Sequence, residues 1–162
     1  MKNITLVGCL TLFTSCMSSK KEKSEIPSFN LLMLDSATQF NTSQIPNGKP
    51  IVLLFFSPDC EHCQAEATYL LRKMDSLKEV DFYFVSIDPL DRLRIFNACY
   101  NLYHYSNITL GKDYTYSFPR YFKGASPPYL ILYDKKKKTR AVFSGDTYID
   151  HLVPFVRKIS VD

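Results

Sequence analysis

The sequence predicts an α/β domain with a mixed central sheet flanked by helices, a terminal β-hairpin and a C-terminal helix. Three observations predict it. Residues 51–56 are a continuous apolar run, as in a strand buried on both faces. Residues 61–78 follow with Ala67, Leu70, Leu71, Met74 and Leu77 on one helical face. Farther on, apolar runs at 129–133 and 141–143 flank a lysine turn at 135–138, the pattern of a hairpin. The chain has 162 residues, 46% hydrophobic and 22% charged, the make-up of one globular domain plus a tail. A core of roughly 130 residues buries about two-thirds of its unfolded surface, enough to fold without disulfide staples.

The remaining elements follow in order. Residues 29–34 are a short apolar run, predicted as the first strand. Pro46-Asn47-Gly48-Lys49-Pro50 is a turn cluster. Residues 81–87, rich in aromatic and β-branched types, predict the next strand, and 89–103 a second helix with Pro at its start. Residues 104–124 are Tyr-rich and follow no clear period. A last helix is expected over 146–159, carrying Ile149, Leu152, Val153, Val156 and Ile159 at helical spacing and kinked or shortened by Pro154. The order β-β-α-β-α-β-β-α joins parallel crossover units to the hairpin, hence a mixed sheet.

The N-terminus reads as an export device. Lys2 precedes an apolar stretch at 4–13 that is too short to span a bilayer, and small residues lead to Cys16. Leu12-Phe13-Thr14-Ser15-Cys16 resembles the lipobox of bacterial lipoproteins, whose Cys becomes the lipidated first residue; Phe13 stands where the box usually has Leu. Leu6-Val7-Gly8-Cys9 fits the box better, but too few residues precede it for a full apolar core. The alternative is a short buried helix. The expected division is a lipoprotein signal peptide at 1–15, a lipidated Cys16 with a flexible tether at 16–27, and the folded domain at 28–162. The expected location is the cell envelope, facing the periplasm, where disulfides form and persist. Met17 rather than Asp follows Cys16, so the retention signal of enteric bacteria is absent. The net charge of +4 and the lack of a basic helix or finger pattern give no reason to expect a nucleic-acid partner.

Cys60 and Cys63 sit two residues apart, straight after the apolar strand and at the start of the helical pattern. A helix N-terminus offers unpaired N–H groups and the positive end of the macrodipole, which favour thiolate over thiol. Thiolate attacks disulfides, and a second Cys one turn on displaces the mixed disulfide that results. The first reading is therefore dithiol–disulfide exchange, with Cys60 as nucleophile and Cys63 as resolving thiol. Metal binding is the alternative, since two thiolates are half of a tetrahedral zinc site and also suit Cu(I). Cys99, His104 or His151 would then have to supply the rest.

In these features the chain resembles the thioredoxin fold and, within it, the exported TlpA/ResA-like redoxins related to the AhpC/TSA family. Cys60-Glu61-His62-Cys63 opens the first long helix after the buried strand. Ser126-Pro127-Pro128-Tyr129 precedes a strand where the family has a cis-proline facing the dithiol, and Glu66 completes a Cys-x-x-Cys-x-x-Glu pattern. The resemblance spans about residues 28–160. It departs in two places: Asp59 stands where thioredoxins carry a Trp, and Leu54 where they carry a buried Asp.

The resemblance implies a redox disulfide between Cys60 and Cys63, a cis Pro128 that offers backbone to a substrate strand, and Glu66 as a possible proton shuttle in place of the missing Asp. The alternatives are a stiff trans turn at Pro127-Pro128 and a solvated Glu66. His62 is expected to tune the Cys60 thiolate, as in the strong oxidant DsbA, which also has His before its second Cys; its alternative is an exposed, ineffective imidazole. The direction of electron flow stays open. Cys99, in a helix with Leu93 and Phe96, is expected to be a buried, unreactive small hydrophobe. The Tyr-rich stretch at 100–122 exceeds the minimal fold. No cofactor is expected. The expected partners are exported protein thiols or disulfides, a membrane redox protein, and the membrane itself through Cys16. A peroxiredoxin-like thiol peroxidase and a non-catalytic Cu(I) carrier are the competing functions; Ser57 stands where peroxiredoxins have Thr, three residues before the reactive Cys.

Overall fold

A computed structural model describes residues 25–145 and 152–156. The expected leader, Cys16, His151 and most of the last helix lie outside the described residues. Seven strands form one sheet: β1 (Asn30–Met33), β2 (Gln39–Asn41), β3 (Ile51–Phe55), β4 (Asp81–Ser86), β5 (Ile108–Lys112), β6 (Tyr129–Tyr133) and β7 (Thr139–Ser144). Their spatial order is β2-β1-β5-β4-β3-β6-β7. The neighbours β3/β4 and β4/β5 run parallel, while β1/β2, β1/β5, β3/β6 and β6/β7 run antiparallel. The predicted mixed sheet with its terminal hairpin is what the chain adopts. Three helices join the strands: α1 (Glu61–Lys73), α2 (Leu90–Cys99) and the short α3 (Ser117–Tyr121).

Strand β3 explains the layering. All five of its residues are buried because side chains alternate between two cores. Val52 and Leu54, with the following Phe56, face a core filled by Ala67 and Leu70 of α1 and by Leu93 and Phe96 of α2. Ile51, Leu53 and Phe55 face the opposite core with Leu31, Tyr83, Phe118 and Tyr133. Leu152 and Val156, in the described turn of the C-terminal helix, pack on the α1/α2 side.

Several boundaries differ from the sequence expectation. The first helix keeps α-geometry only to Lys73, and Met74–Leu77 tightens into a 3-10 turn that still buries Met74 and Leu77. The second ends at Cys99, followed after the left-handed Asn101 by a 3-10 turn, Leu102–His104. The Tyr-rich segment contains a full sheet strand, β5, and the helix α3, which sends Phe118 into the core. Its period was hidden because β5 is short and includes Gly111. That glycine permits a close approach, since a Cβ there would lie 2.9 Å from Leu31 Cβ. Strand β2, only three residues long, had no apolar pattern to reveal it. Packing also begins before residue 28: Ile26 rests on the core, and the Pro27 carbonyl accepts from Thr42 Oγ1 at 2.6 Å. Among the described residues no helix is long and apolar enough to cross a membrane.

Candidate active site

The dithiol lies where the chain leaves β3 and turns into α1, outside the carboxyl ends of the parallel pair β3/β4. Such ends are where open α/β sheets place their reactive groups. Phe56 N–H still bonds the Val85 carbonyl at 3.0 Å, and the next four residues make the turn. Cys60 N–H donates to the Ser57 carbonyl at 3.2 Å, and Gln64 Nε2 reaches back to the Pro58 carbonyl at 2.8 Å.

Cys60 is the N-cap of α1, with extended backbone (φ −84°, ψ 115°). Its Sγ accepts from the Cys63 N–H at 3.3 Å, the position a Ser or Asp oxygen fills in other caps. A sulfur held there faces the positive end of the helix. Cys60 is half-buried, whereas Cys63, one turn on, is 2% exposed. Burial pushes the Cys63 thiol well above the ordinary thiol range. The contact with Cys60 and the charges of Cys60 and Glu66 add to this, and the Ser57 backbone opposes it in part. One thiol is therefore presented to a partner and the other is held in reserve.

The hairpin strand β6 brings the second half of the site. Tyr129, its first residue, pairs with Phe55, the last of β3, so the residues before Tyr129 lie beside those after Phe55. The Pro127–Pro128 peptide is cis, and the Pro127 carbonyl lies 4.0 Å from Cys60 Sγ. Pro128 is buried, and its carbonyl accepts from Gly145 N–H at 3.2 Å.

Glu66 is 6% exposed and sits on the stripe Cys63, Glu66, Ala67, Leu70 that α1 turns to the core. The solvated alternative for Glu66 does not hold. His62 is exposed at the outer face of the first turn. Leu54 takes the place of the absent Asp as a core residue, 2% exposed. Cys60, Cys63, Glu66 and Pro128 thus converge on one end of the sheet, with His62 at its rim; Cys16 is outside the described residues.

The expectation for Cys99 is overturned: it is exposed. At 100° per residue, Leu93, Phe96 and Tyr100 share a face of α2, and Cys99 falls about 120° from Leu93. It shares a groove of about 370 Å³ with Pro58, Asp59, Arg92, Phe96 and Tyr100 beside the dithiol turn. Among the described residues no group of three or more His, Cys, Asp and Glu could hold a metal ion, so neither Cys99 nor His104 completes a site around the two thiols. Sequence reading missed one feature. Arg92 Nη2 of α2 bonds Asp59 Oδ2 at 2.5 Å, tying the dithiol turn to the neighbouring helix across 33 positions of sequence. No local pattern signals such a pair.

The AhpC/TSA family model matches residues 23–144. Among solved structures, the chain is similar to a secreted Mycobacterium tuberculosis disulfide oxidoreductase homologous to E. coli DsbE (TM-score 0.67, 23% identity, covering 80% of this chain and 95% of that one). It is similar to MTB dsbF in its mixed oxidized and reduced forms (TM-score 0.68, 26% identity, 81% and 94% covered). It is also similar to a reduced 2-Cys peroxiredoxin of Plasmodium vivax (TM-score 0.67, 17% identity, 85% and 80% covered). No curated protein matches the chain. With the thioredoxin-like fold and the family model covering most of its length, this chain belongs to the AhpC/TSA family of thioredoxin-like redox proteins.

Proposed function

We propose that this protein is a thiol–disulfide oxidoreductase of the TlpA/ResA-like type, anchored to the envelope membrane through a lipidated Cys16 and exchanging disulfides with exported proteins. The observation that carries the reading is the placement of the two sulfurs: Cys60 half-exposed at the α1 N-cap against the Pro127 carbonyl, and Cys63 buried one turn behind it. Similarity to MTB dsbF and to the M. tuberculosis disulfide oxidoreductase supports the exchange reading. The lipobox-like residues 12–16 support the anchor.

In the reductive direction the Cys60 thiolate attacks one sulfur of a partner disulfide, and the partner's other sulfur leaves as a thiolate that takes up a proton. Cys63 then loses its proton, with buried Glu66 the nearby acceptor, and attacks Cys60 Sγ. The second partner sulfur leaves as thiol, and the chain ends as the Cys60–Cys63 disulfide. Two electrons have passed to the partner, and a membrane redox protein restores them. Running the same steps backwards oxidises a partner dithiol. The test is a pair of variants assayed for disulfide exchange and for covalent adducts on non-reducing gels. Cys60→Ala abolishes exchange, while Cys63→Ala accumulates mixed disulfides through Cys60. Full activity in both variants would remove the assignment.

A further inference from the structure

The acidic residue next to the nucleophile does not stand alone. Asp59 immediately precedes Cys60, and its carboxylate bonds Arg92 at 2.5 Å. The run 59–66 holds three carboxylates, Asp59, Glu61 and Glu66, with His62 among them. Negative charge close to a thiolate opposes its formation. Arg92 gives this acidic stretch a cation from a different element. Gln64 fixes the same turn from the α1 side through the Pro58 carbonyl, so the turn has a second, uncharged tie.

Resting on the exchange reading above, we propose that the Asp59–Arg92 pair sets the charge felt by Cys60, with Arg92 a positioning residue that cancels Asp59 and keeps the nucleophile reactive. Both members are exposed in the free protein, where solvent screens them. They also line the groove with Ile95, Phe96, Cys99 and Tyr100.

The two members make opposite predictions. In the reduced full-length protein, iodoacetamide alkylation of Cys60 is followed at neutral pH and low salt by mass spectrometry of its peptide. Arg92→Gln leaves Asp59 uncompensated and slows alkylation by about three-fold. Asp59→Asn removes the bonded carboxylate, leaving Arg92 only the charges of Asp91 and Asp88 beside it, and speeds alkylation by about three-fold. The double variant returns to the wild-type rate, and about 1 M salt compresses the differences. The redox equilibrium follows, because favouring the thiolate favours the reduced form: about three-fold corresponds to about 14 mV, down for Arg92→Gln and up for Asp59→Asn. If both single variants move the rate in the same direction, the pair is only a mechanical tie and the proposal fails. It fails equally if neither variant changes the rate. Exchange of the wild type with oxidised glutathione is measured alongside. Its absence would overturn the exchange reading itself, while the alkylation rates still judge the ion pair.

Discussion

Glu66 and Cys63 share the buried stripe of α1, three residues apart, and the Glu66 charge is among the influences that hold the Cys63 thiol protonated. Two roles with opposite signs follow. As a fixed charge, Glu66 hinders formation of the Cys63 thiolate, so its removal would speed resolution of a mixed disulfide. As the proton acceptor for Cys63, Glu66 makes resolution possible, and its removal slows it. The second role is the one expected, because a thiol buried this deeply has little direct access to water. Glu66→Gln is expected to slow resolution by about a hundred-fold, the range of a lost general base, with the attack of Cys60 little changed. Rapid-quench trapping of the mixed disulfide separates the two steps, and faster resolution in Glu66→Gln would leave only the electrostatic role.

The fold was legible where one periodicity dominated. The double-sided burial of β3 and the stripe of α1 are written in residues 51–56 and 67–77, and those elements position the dithiol. The same stripe, extended backwards by three and four residues, passes through Glu66 and Cys63, so their burial was readable too. What could not be read depends on tertiary partners. Cys99 lies about 60° beyond Phe96, outside the buried face of α2, but with only Leu93 and Phe96 buried along ten residues that face has no edge a sequence pattern can mark. Asp59 and Arg92 meet only because α2 returns across the end of the sheet. Strand β5 is recognisable only beside β1 and β4, which supply its hydrogen bonds, and β1 is the neighbour that needs its glycine.

Peroxide chemistry is the competing use of this fold, and the resolving thiol separates the two. In disulfide exchange the buried Cys63 completes every turnover, whereas a peroxidase reduces peroxide at its first thiol alone and can be regenerated by external thiol. Ser57, not Thr, precedes Cys60 by three residues. Peroxide consumption is therefore expected to be slow in the wild type and absent in Cys63→Ser. A Cys63→Ser variant that consumes peroxide at the wild-type rate would move the protein to the peroxidase class.

Alkali is expected to unfold the protein earlier than its aromatic core suggests. Tyr83, stacked on Phe40 and buried, has its phenol pushed up to about 12 by burial and by the charge of Asp81. Burial moves the Cys63 thiol and the Tyr133 phenol in the same direction. A group whose folded-state value is raised contributes stability in full below its unfolded value, and that contribution is lost as pH rises through the folded value. The window thus opens near 9.0 for Cys63 and near 10.0 for the tyrosines, and for Tyr83 it closes near 12. A two-unit displacement is worth on the order of 3 kcal/mol. Urea midpoints measured from pH 8 upward are expected to fall from about pH 9, less steeply in Tyr83→Phe. Equal slopes in the two proteins would show that Tyr83 contributes nothing to the loss.

Acid acts through the hairpin that carries β6, and so through the Pro127 carbonyl beside Cys60. Asp134 caps the lysine turn. Its Oδ1 accepts from Lys136 N–H and Lys138 N–H, each at 2.9 Å, and its Oδ2 takes Arg140 at 2.7 Å. Burial by itself would raise this carboxyl, but the two backbone donors and Arg140 together hold it below the ordinary Asp value of 3.8. A depressed value means that the stabilisation is present above the unfolded value and is lost as pH falls through the folded one. Stability is therefore expected to decline below about pH 4. Asp134→Asn keeps the shape and removes the charge from bonds that depend on it, at a cost of about 1–3 kcal/mol at neutral pH. The same variant flattens the acid limb, since the group that titrates is gone. Denaturant midpoints at pH 7 and pH 3 check both: an Asp134→Asn protein as stable as wild type at pH 7, or with the same acid limb, would mean that the four-lysine turn holds itself without its carboxylate.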